Sequence, residues 1–133
     1  MPVAPQEHFE GLHADIKVRE GILLVTLSGK LTFDSGLLVL KQMCDTAKEN
    51  EISKILVNAL EMHGKVSTID SYHFGLEMVA QFKQRQMNPW LAFIGKPLSI
   101  DGFAVRVAQN RGLGAEVFST EQDARNWLEK WPS

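Results

Sequence analysis

The chain has 133 residues, of which 44% are hydrophobic and 23% are charged, and its formal net charge at pH 7 is −2. This length is typical of one domain, which buries roughly two-thirds of the surface that its unfolded chain exposes. The slight negative charge argues against a nucleic-acid binder, because such proteins present a basic surface. No stretch approaches the roughly 20 apolar residues that span a bilayer, so we expect a protein that is not transmembrane. A single cysteine and the lack of a basic, apolar leader favour a cytoplasmic location.

Residues 1–15 are polar and contain two prolines, so we expect a flexible N-terminal lead-in, followed by one domain over residues 16–133. Apolar residues alternate on both sides of Glu20-Gly21, which predicts a β-hairpin with strands at 16–18 and 22–27. Apolar residues recur at helical spacing in four later segments, residues 34–50, 70–86, 99–111 and 120–131. Short apolar runs between those segments predict three more strands, at residues 54–59, 90–94 and 115–118.

Strands that alternate with helices of this length are typical of parallel pairing through crossover connections. The sequence therefore predicts an α/β domain with a single mainly parallel sheet of about five strands and about four helices. The first strand of the hairpin is expected to lie antiparallel at one edge of this sheet.

The sequence lacks the common catalytic and cofactor-binding motifs. Its four histidines do not follow the spacing of a metal site such as His-Glu-x-x-His, and one cysteine cannot supply a zinc site. No nucleophile elbow, phosphate loop or dinucleotide-binding glycine motif occurs. Cys44 falls on the apolar stripe of its helix, which favours a buried structural thiol. We therefore expect no catalytic residue, no metal and no cofactor, and a protein that is not an enzyme.

Residues 67–71, Ser-Thr-Ile-Asp-Ser, stand where the second predicted helix begins. Ser67 and Asp70 fit the capping-box pattern, in which the side chain of the first residue accepts a hydrogen bond from the backbone of the fourth. One interpretation is a helix start and nothing more. The other is a switch, because a phosphate on a hydroxyl here would lie at the positive end of the helix macrodipole. The residue types leave both interpretations open.

Three segments resemble the STAS domain, a family named after sulfate transporters and anti-sigma-factor antagonists. They are residues 24–32 (LVTLSGKLT), 55–57 (ILV) and 66–71 (VSTIDS), and the resemblance extends in order and spacing over about residues 16–130. Residues 115–118 (AEVF), followed by Ala124, Trp127 and Leu128, resemble the lipid-transfer-like branch of this family.

The resemblance implies a non-enzymatic regulatory module that binds a protein partner in bacterial-type signalling. In anti-sigma-factor antagonists, a kinase phosphorylates a serine of an Asp-Ser-Ser-Gly signature at the start of the second helix, and the complex then breaks. Here Asp70 and Ser71 match the first two positions, whereas Tyr72 stands at the phosphoacceptor position and His73 at the glycine. A serine kinase cannot use Tyr72, so Ser71, Ser67 or Thr68 would have to replace it. The candidate regulatory or partner-binding residues are Ser67, Thr68, Asp70, Ser71, Tyr72 and His73.

A second candidate site follows from the expected sheet, because ligands of open parallel sheets lie beyond the carboxyl ends of the strands. Three of these ends carry a Gly-Lys pair, at Lys30, Lys65 and Lys96, and each leads towards a helix N-terminus. Together they would form an anion-attracting rim. The alternative is that they are solvated loop lysines. The candidate rim comprises Lys30, His63, Lys65, Lys96 and Ser99.

Three functions follow from these observations. The first is a STAS-like module that binds an unidentified protein regulator. The second is a domain that binds a small anionic or lipid ligand at the rim. The third is an enzyme of unknown reaction, which rests only on the closeness in sequence of His63, Asp70, Ser71 and His73. The sequence leaves the formation of a homodimer open.

Overall fold

The computed structural model describes residues 7–9, 11–95 and 102–132 of the chain. The strands are β1 (Glu7–Phe9), β2 (Leu12–Arg19), β3 (Ile22–Lys30), β4 (Lys54–His63), β5 (Trp90–Ile94) and β6 (Gly114–Phe118). The helices are α1 (Phe33–Glu49), α2 (Thr68–Gln84), α3 (Gly102–Asn110) and α4 (Glu121–Glu129). Across the described residues, the strands form a single sheet in the order β1-β2-β3-β4-β5-β6.

The type of strand pairing changes once along this sheet, at β3. β1, β2 and β3 pair antiparallel, whereas β3, β4, β5 and β6 pair parallel. Parallel neighbours need a crossover connection, and α1, α2 and α3 supply these connections. The predicted α/β class, with a mainly parallel sheet and four helices, is therefore confirmed.

The predicted start of the domain at residue 16 is wrong. β2 begins at Leu12, and the side chains of Leu12 and Ala14 are fully buried, in alternation with Ile16. The polar residues His13 and Asp15 alternate with these buried residues. Their polarity is the reason that the sequence predicts a flexible segment here. β1 pairs with the outer side of β2, so the first strand of the predicted hairpin is not at the edge of the sheet.

The larger core lies between one face of the sheet and the helices α1, α2 and α3. Alternate residues of β3 face this core, and Leu23, Val25 and Leu27 are buried in it. Burial of each such side chain stabilises the fold by roughly 1.5–3 kcal/mol. Cys44 of α1 lies in the same core, which confirms the prediction of a buried thiol.

Helix α4 covers part of the opposite face, above β4, β5 and β6. The ring of Trp131 stacks on Trp90, with the ring centroids 4.0 Å apart and an interplanar angle of 9°. Trp127 meets Trp90 edge-on, with 6.1 Å between the centroids. The tryptophans therefore pack on the sheet and on one another.

Candidate functional site

The carboxyl ends of β3 and β4 meet at one end of the sheet. Lys30 and His63 are the last residues of these strands and stand opposite each other in the register. The backbone N–H of Leu31 donates a hydrogen bond to the carbonyl oxygen of His63 at 2.8 Å, which joins the two loops that follow. Gly64 has a φ of +105°, and a Cβ there would lie 2.9 Å from the carbonyl oxygen of Leu31. Only glycine fits this close contact between the loops.

The candidate rim is thus partly assembled by the fold. Lys30, His63 and Lys65 are exposed at the same end of the sheet, next to the start of α2. Lys96 and Ser99 lie outside the described residues.

Helix α2 begins as the capping pattern predicts. The hydroxyl of Ser67 accepts a hydrogen bond from the backbone N–H of Asp70 at 3.1 Å. The carboxylate of Asp70 lies in the first turn, where it complements the positive end of the helix macrodipole. A full capping box forms at the start of α1, where the N–H of Thr32 also donates to the hydroxyl of Ser35 at 2.9 Å.

The first two turns of α2 separate the candidate residues into exposed and buried ones. Thr68, Tyr72 and His73 are exposed, and Ile69 keeps 70% of its surface accessible. Ser71, by contrast, is only 3% exposed. A kinase cannot reach the hydroxyl of Ser71 while this turn is helical, which corrects the prediction of Ser71 as a regulatory hydroxyl.

The apolar pattern of α2 predicts the burial of Ser71. Phe74, Met78 and Phe82 form the apolar stripe that predicts α2. Ser71 precedes Phe74 by three residues and Met78 by seven, so it continues the stripe by one turn.

Tyr72 connects α2 to the end of α3. The Nη2 of Arg111 donates a hydrogen bond to the hydroxyl of Tyr72 at 3.2 Å. The rings of Tyr72 and His73 also meet edge-on, with 5.7 Å between their centroids. These exposed aromatic groups lie on the same side of the helix start as Ile69.

An apolar cavity of about 90 Å³ lies between the sheet and the helices α1 and α2. Ser71 lines this cavity from the first turn of α2. Leu31, Phe33, Val66 and Phe74 also line it and are half-buried, so they mark its end nearest to the surface.

The described residues contain neither a metal-binding cluster nor an activated cysteine. Within them, no group of three or more His, Cys, Asp or Glu side chains could hold a metal ion. Burial raises the pKa of the Cys44 thiol from 9.0 to about 12, so this thiol is neutral at neutral pH and a poor nucleophile. Of the helices in the described part of the chain, none is long and apolar enough to cross a membrane.

Several solved structures are similar to this chain. An anti-sigma factor antagonist from Mycobacterium paratuberculosis matches with a TM-score of 0.61 and 9% sequence identity, over 89% of this chain and 94% of that chain. An uncharacterised protein from Shewanella loihica with a SpoIIAA-like fold matches with a TM-score of 0.52 and 23% identity, over 92% and 97%. The anti-sigma factor antagonist SpoIIAA in its unphosphorylated form matches with a TM-score of 0.51 and 12% identity, over 89% and 99%. No protein-family model and no curated protein matches the sequence.

These structures cover almost the whole length of the chain, and each of them is nearly fully covered in return. The chain therefore has the SpoIIAA-like fold of the STAS domain. The predicted resemblance is confirmed at the level of the fold.

Proposed function

We propose that this protein is a cytoplasmic, non-enzymatic regulatory module that binds a protein partner through the start of α2. The contact surface, here called the α2 surface, is the exposed side of the first two turns of this helix together with its cap. It comprises Ser67, Thr68, Ile69, Asp70, Tyr72 and His73.

The exposure of Ile69 is the observation that carries this proposal. A single exposed apolar residue is common on protein surfaces. Ile69, however, is 70% exposed and is followed within one turn by the exposed rings of Tyr72 and His73. Aliphatic and aromatic side chains within a polar surround are typical anchors of protein interfaces. Asp70 and the hydroxyl groups of Ser67 and Thr68 supply that polar surround.

The similar structures support a protein as the partner. Two of them are named anti-sigma factor antagonists, so by their names they act on another protein. This chain shares their fold, in which a strand, a loop and a helix follow one another. Here these are β4, residues 64–67 and α2, so the α2 surface lies at the carboxyl end of the parallel strands.

The proposal does not include a serine phosphorylation switch at the family's position. Tyr72 occupies the phosphoacceptor position, and Ser71 beside it is buried. The hydroxyl groups of this segment that a kinase could reach are those of Ser67 and Thr68, which are exposed.

The proposal is tested by photo-cross-linking in cells of the source organism. A photoreactive phenylalanine analogue replaces Ile69 in one variant and Val18 in a matched control, because Val18 is also an exposed apolar residue but lies on β2. We expect a discrete adduct with one protein from position 69 and no such adduct from position 18. The same adducts from both positions, or none from position 69, would overturn the proposed surface.

A further inference from the structure

Strand β6 forms one edge of the sheet. It stands last in the strand order of the described residues and pairs there with β5. The backbone N–H of Gly95, just after β5, donates a hydrogen bond to the carbonyl oxygen of Phe118 at 3.0 Å, so this carbonyl points towards β5. Backbone groups alternate in direction along a strand, so those of Ala115 and Val117 point away from β5, at the edge. An edge of this kind is a template for pairing with another strand.

Two side chains occupy these outward backbone groups. The Nε2 of Gln109, on α3, donates a hydrogen bond to the carbonyl oxygen of Ala115 at 2.6 Å. The backbone N–H of Val117 donates to the Oε1 of Glu116 at 3.1 Å. A side chain from the preceding helix and one from the strand itself therefore bind groups that an added strand would need.

The strand carries few other features that protect an edge. Natural sheets discourage strand addition with proline, lysine or a β-bulge at the edge. Residues 114–118 (GAEVF) contain neither proline nor lysine. Their register with β5 is continuous, so β6 has no bulge. The protection of its backbone therefore depends on Gln109 and Glu116.

The backbone of this edge is complementary to that of a second copy of the chain. Two β6 strands related by a two-fold axis at residue 116 would pair antiparallel, with the N–H of Val117 opposite the carbonyl oxygen of Ala115 of the other copy. These are the same two groups that the side chains occupy. The two Glu116 side chains would stand directly opposite each other, and like charges in this position destabilise strand pairing.

We propose that Gln109 and Glu116 close the β6 edge to strand addition, and that the strand they exclude is β6 of a second copy of this chain. Without these two side chains, the edge is a site of antiparallel dimerisation. The α2 surface lies on a different element, so this inference does not depend on the proposed protein partner.

The test compares the oligomeric state of two double variants with that of the wild type. Gln109→Ala with Glu116→Ala removes both side chains from the edge. Gln84→Ala with Glu49→Ala is the matched control, because it removes the same residue types and the same charge from the exposed ends of α2 and α1. Sedimentation velocity measures the weight-average mass over a range of protein concentrations. We expect the edge variant to become half dimeric at a concentration at least about tenfold below that of the wild type and of the control.

Amide hydrogen exchange at Val117 locates the contact. In the edge variant, exchange of this N–H should slow as the dimer fraction rises, because the N–H then donates to the second copy. If the edge variant does not fold, Gln109→Ala alone, which frees the carbonyl oxygen of Ala115, is compared with Gln84→Ala in the same two measurements.

Two results would overturn the inference. One is an equal mass of edge variant, control and wild type at every concentration, which would show that the two side chains do not prevent association. The other is a dimer of the edge variant in which exchange at Val117 is unchanged, which would place the contact away from β6.

Discussion

Ile69 and Ser71 are two residues apart in the first turn of α2, yet Ile69 is 70% exposed and Ser71 is 3% exposed. The same turn therefore faces solvent on one side and the apolar cavity on the other. The α2 surface therefore lies on a turn whose other side is buried in the core.

The first prediction concerns the cap of α2. Because the hydroxyl of Ser67 accepts from the N–H of Asp70, Ser67→Ala should lower the free energy of unfolding by about 1 kcal/mol. Thr68→Ala is the matched control and should change it by less than about 0.5 kcal/mol, since Thr68 is exposed and follows the cap. Urea unfolding of both variants measures the difference. Equal effects would show that the cap does not stabilise the helix.

The second prediction concerns the contact between α2 and α3. A Cβ at Gly75 would lie 2.5 Å from the carbonyl oxygen of Ala104 and 2.8 Å from the Cβ of Val107. Gly75→Ala should therefore push α3 away and lower the free energy of unfolding by about 1–3 kcal/mol. Gly102→Ala, in the first turn of α3, meets no atom within 4 Å and should be neutral or slightly stabilising. Thermal unfolding of both variants distinguishes them, and a stable Gly75→Ala protein would contradict the close packing.

Most of the fold is predictable from the sequence, because it rests on local periodicity. Apolar spacing predicts the three helices that cover the larger core, α1, α2 and α3. It also predicts β5, whose predicted bounds of 90–94 agree with the structure. The edge strand β1 is missed because it is three residues long and is defined by its pairing with β2. Pairing between distant segments leaves little trace in so short a stretch.

The candidate site is less predictable than the fold. The cap at Ser67 follows from residue types, and the exposure of Tyr72 agrees with its position after the cap. The cavity depends on how side chains from the sheet, α1, α2 and α3 meet, and sequence periodicity carries no information on such gaps.

The third prediction concerns pH. Burial raises the pKa of Cys44 to about 12 in the folded protein, against 9.0 for an ordinary thiol. Between these values the unfolded chain loses a proton that the folded protein keeps, so stability falls as the pH rises from 9 towards 12. The loss attributable to this thiol is at most about 1.4 kcal/mol per pH unit. It is fully absent below pH 9, where the thiol is neutral in both states.

Cys44→Ala is the control for this pH dependence. Cys44→Ala changes no other ionisable group, so the difference between the two unfolding curves isolates the thiol. We expect the stability of wild type to fall more steeply than that of Cys44→Ala above pH 9, as measured by urea unfolding at successive pH values. Parallel curves would show that the thiol is not held neutral by burial.

The most direct test of the α2 surface is the affinity of the purified protein for the partner that cross-links at position 69. Isothermal titration calorimetry compares the wild type with Ile69→Glu and with the matched variant Val18→Glu, which places the same charge on another exposed apolar position. We predict that Ile69→Glu weakens binding by at least about tenfold and that Val18→Glu leaves it unchanged. Equal affinity of Ile69→Glu and the wild type would contradict the proposal that the start of α2 is the contact surface.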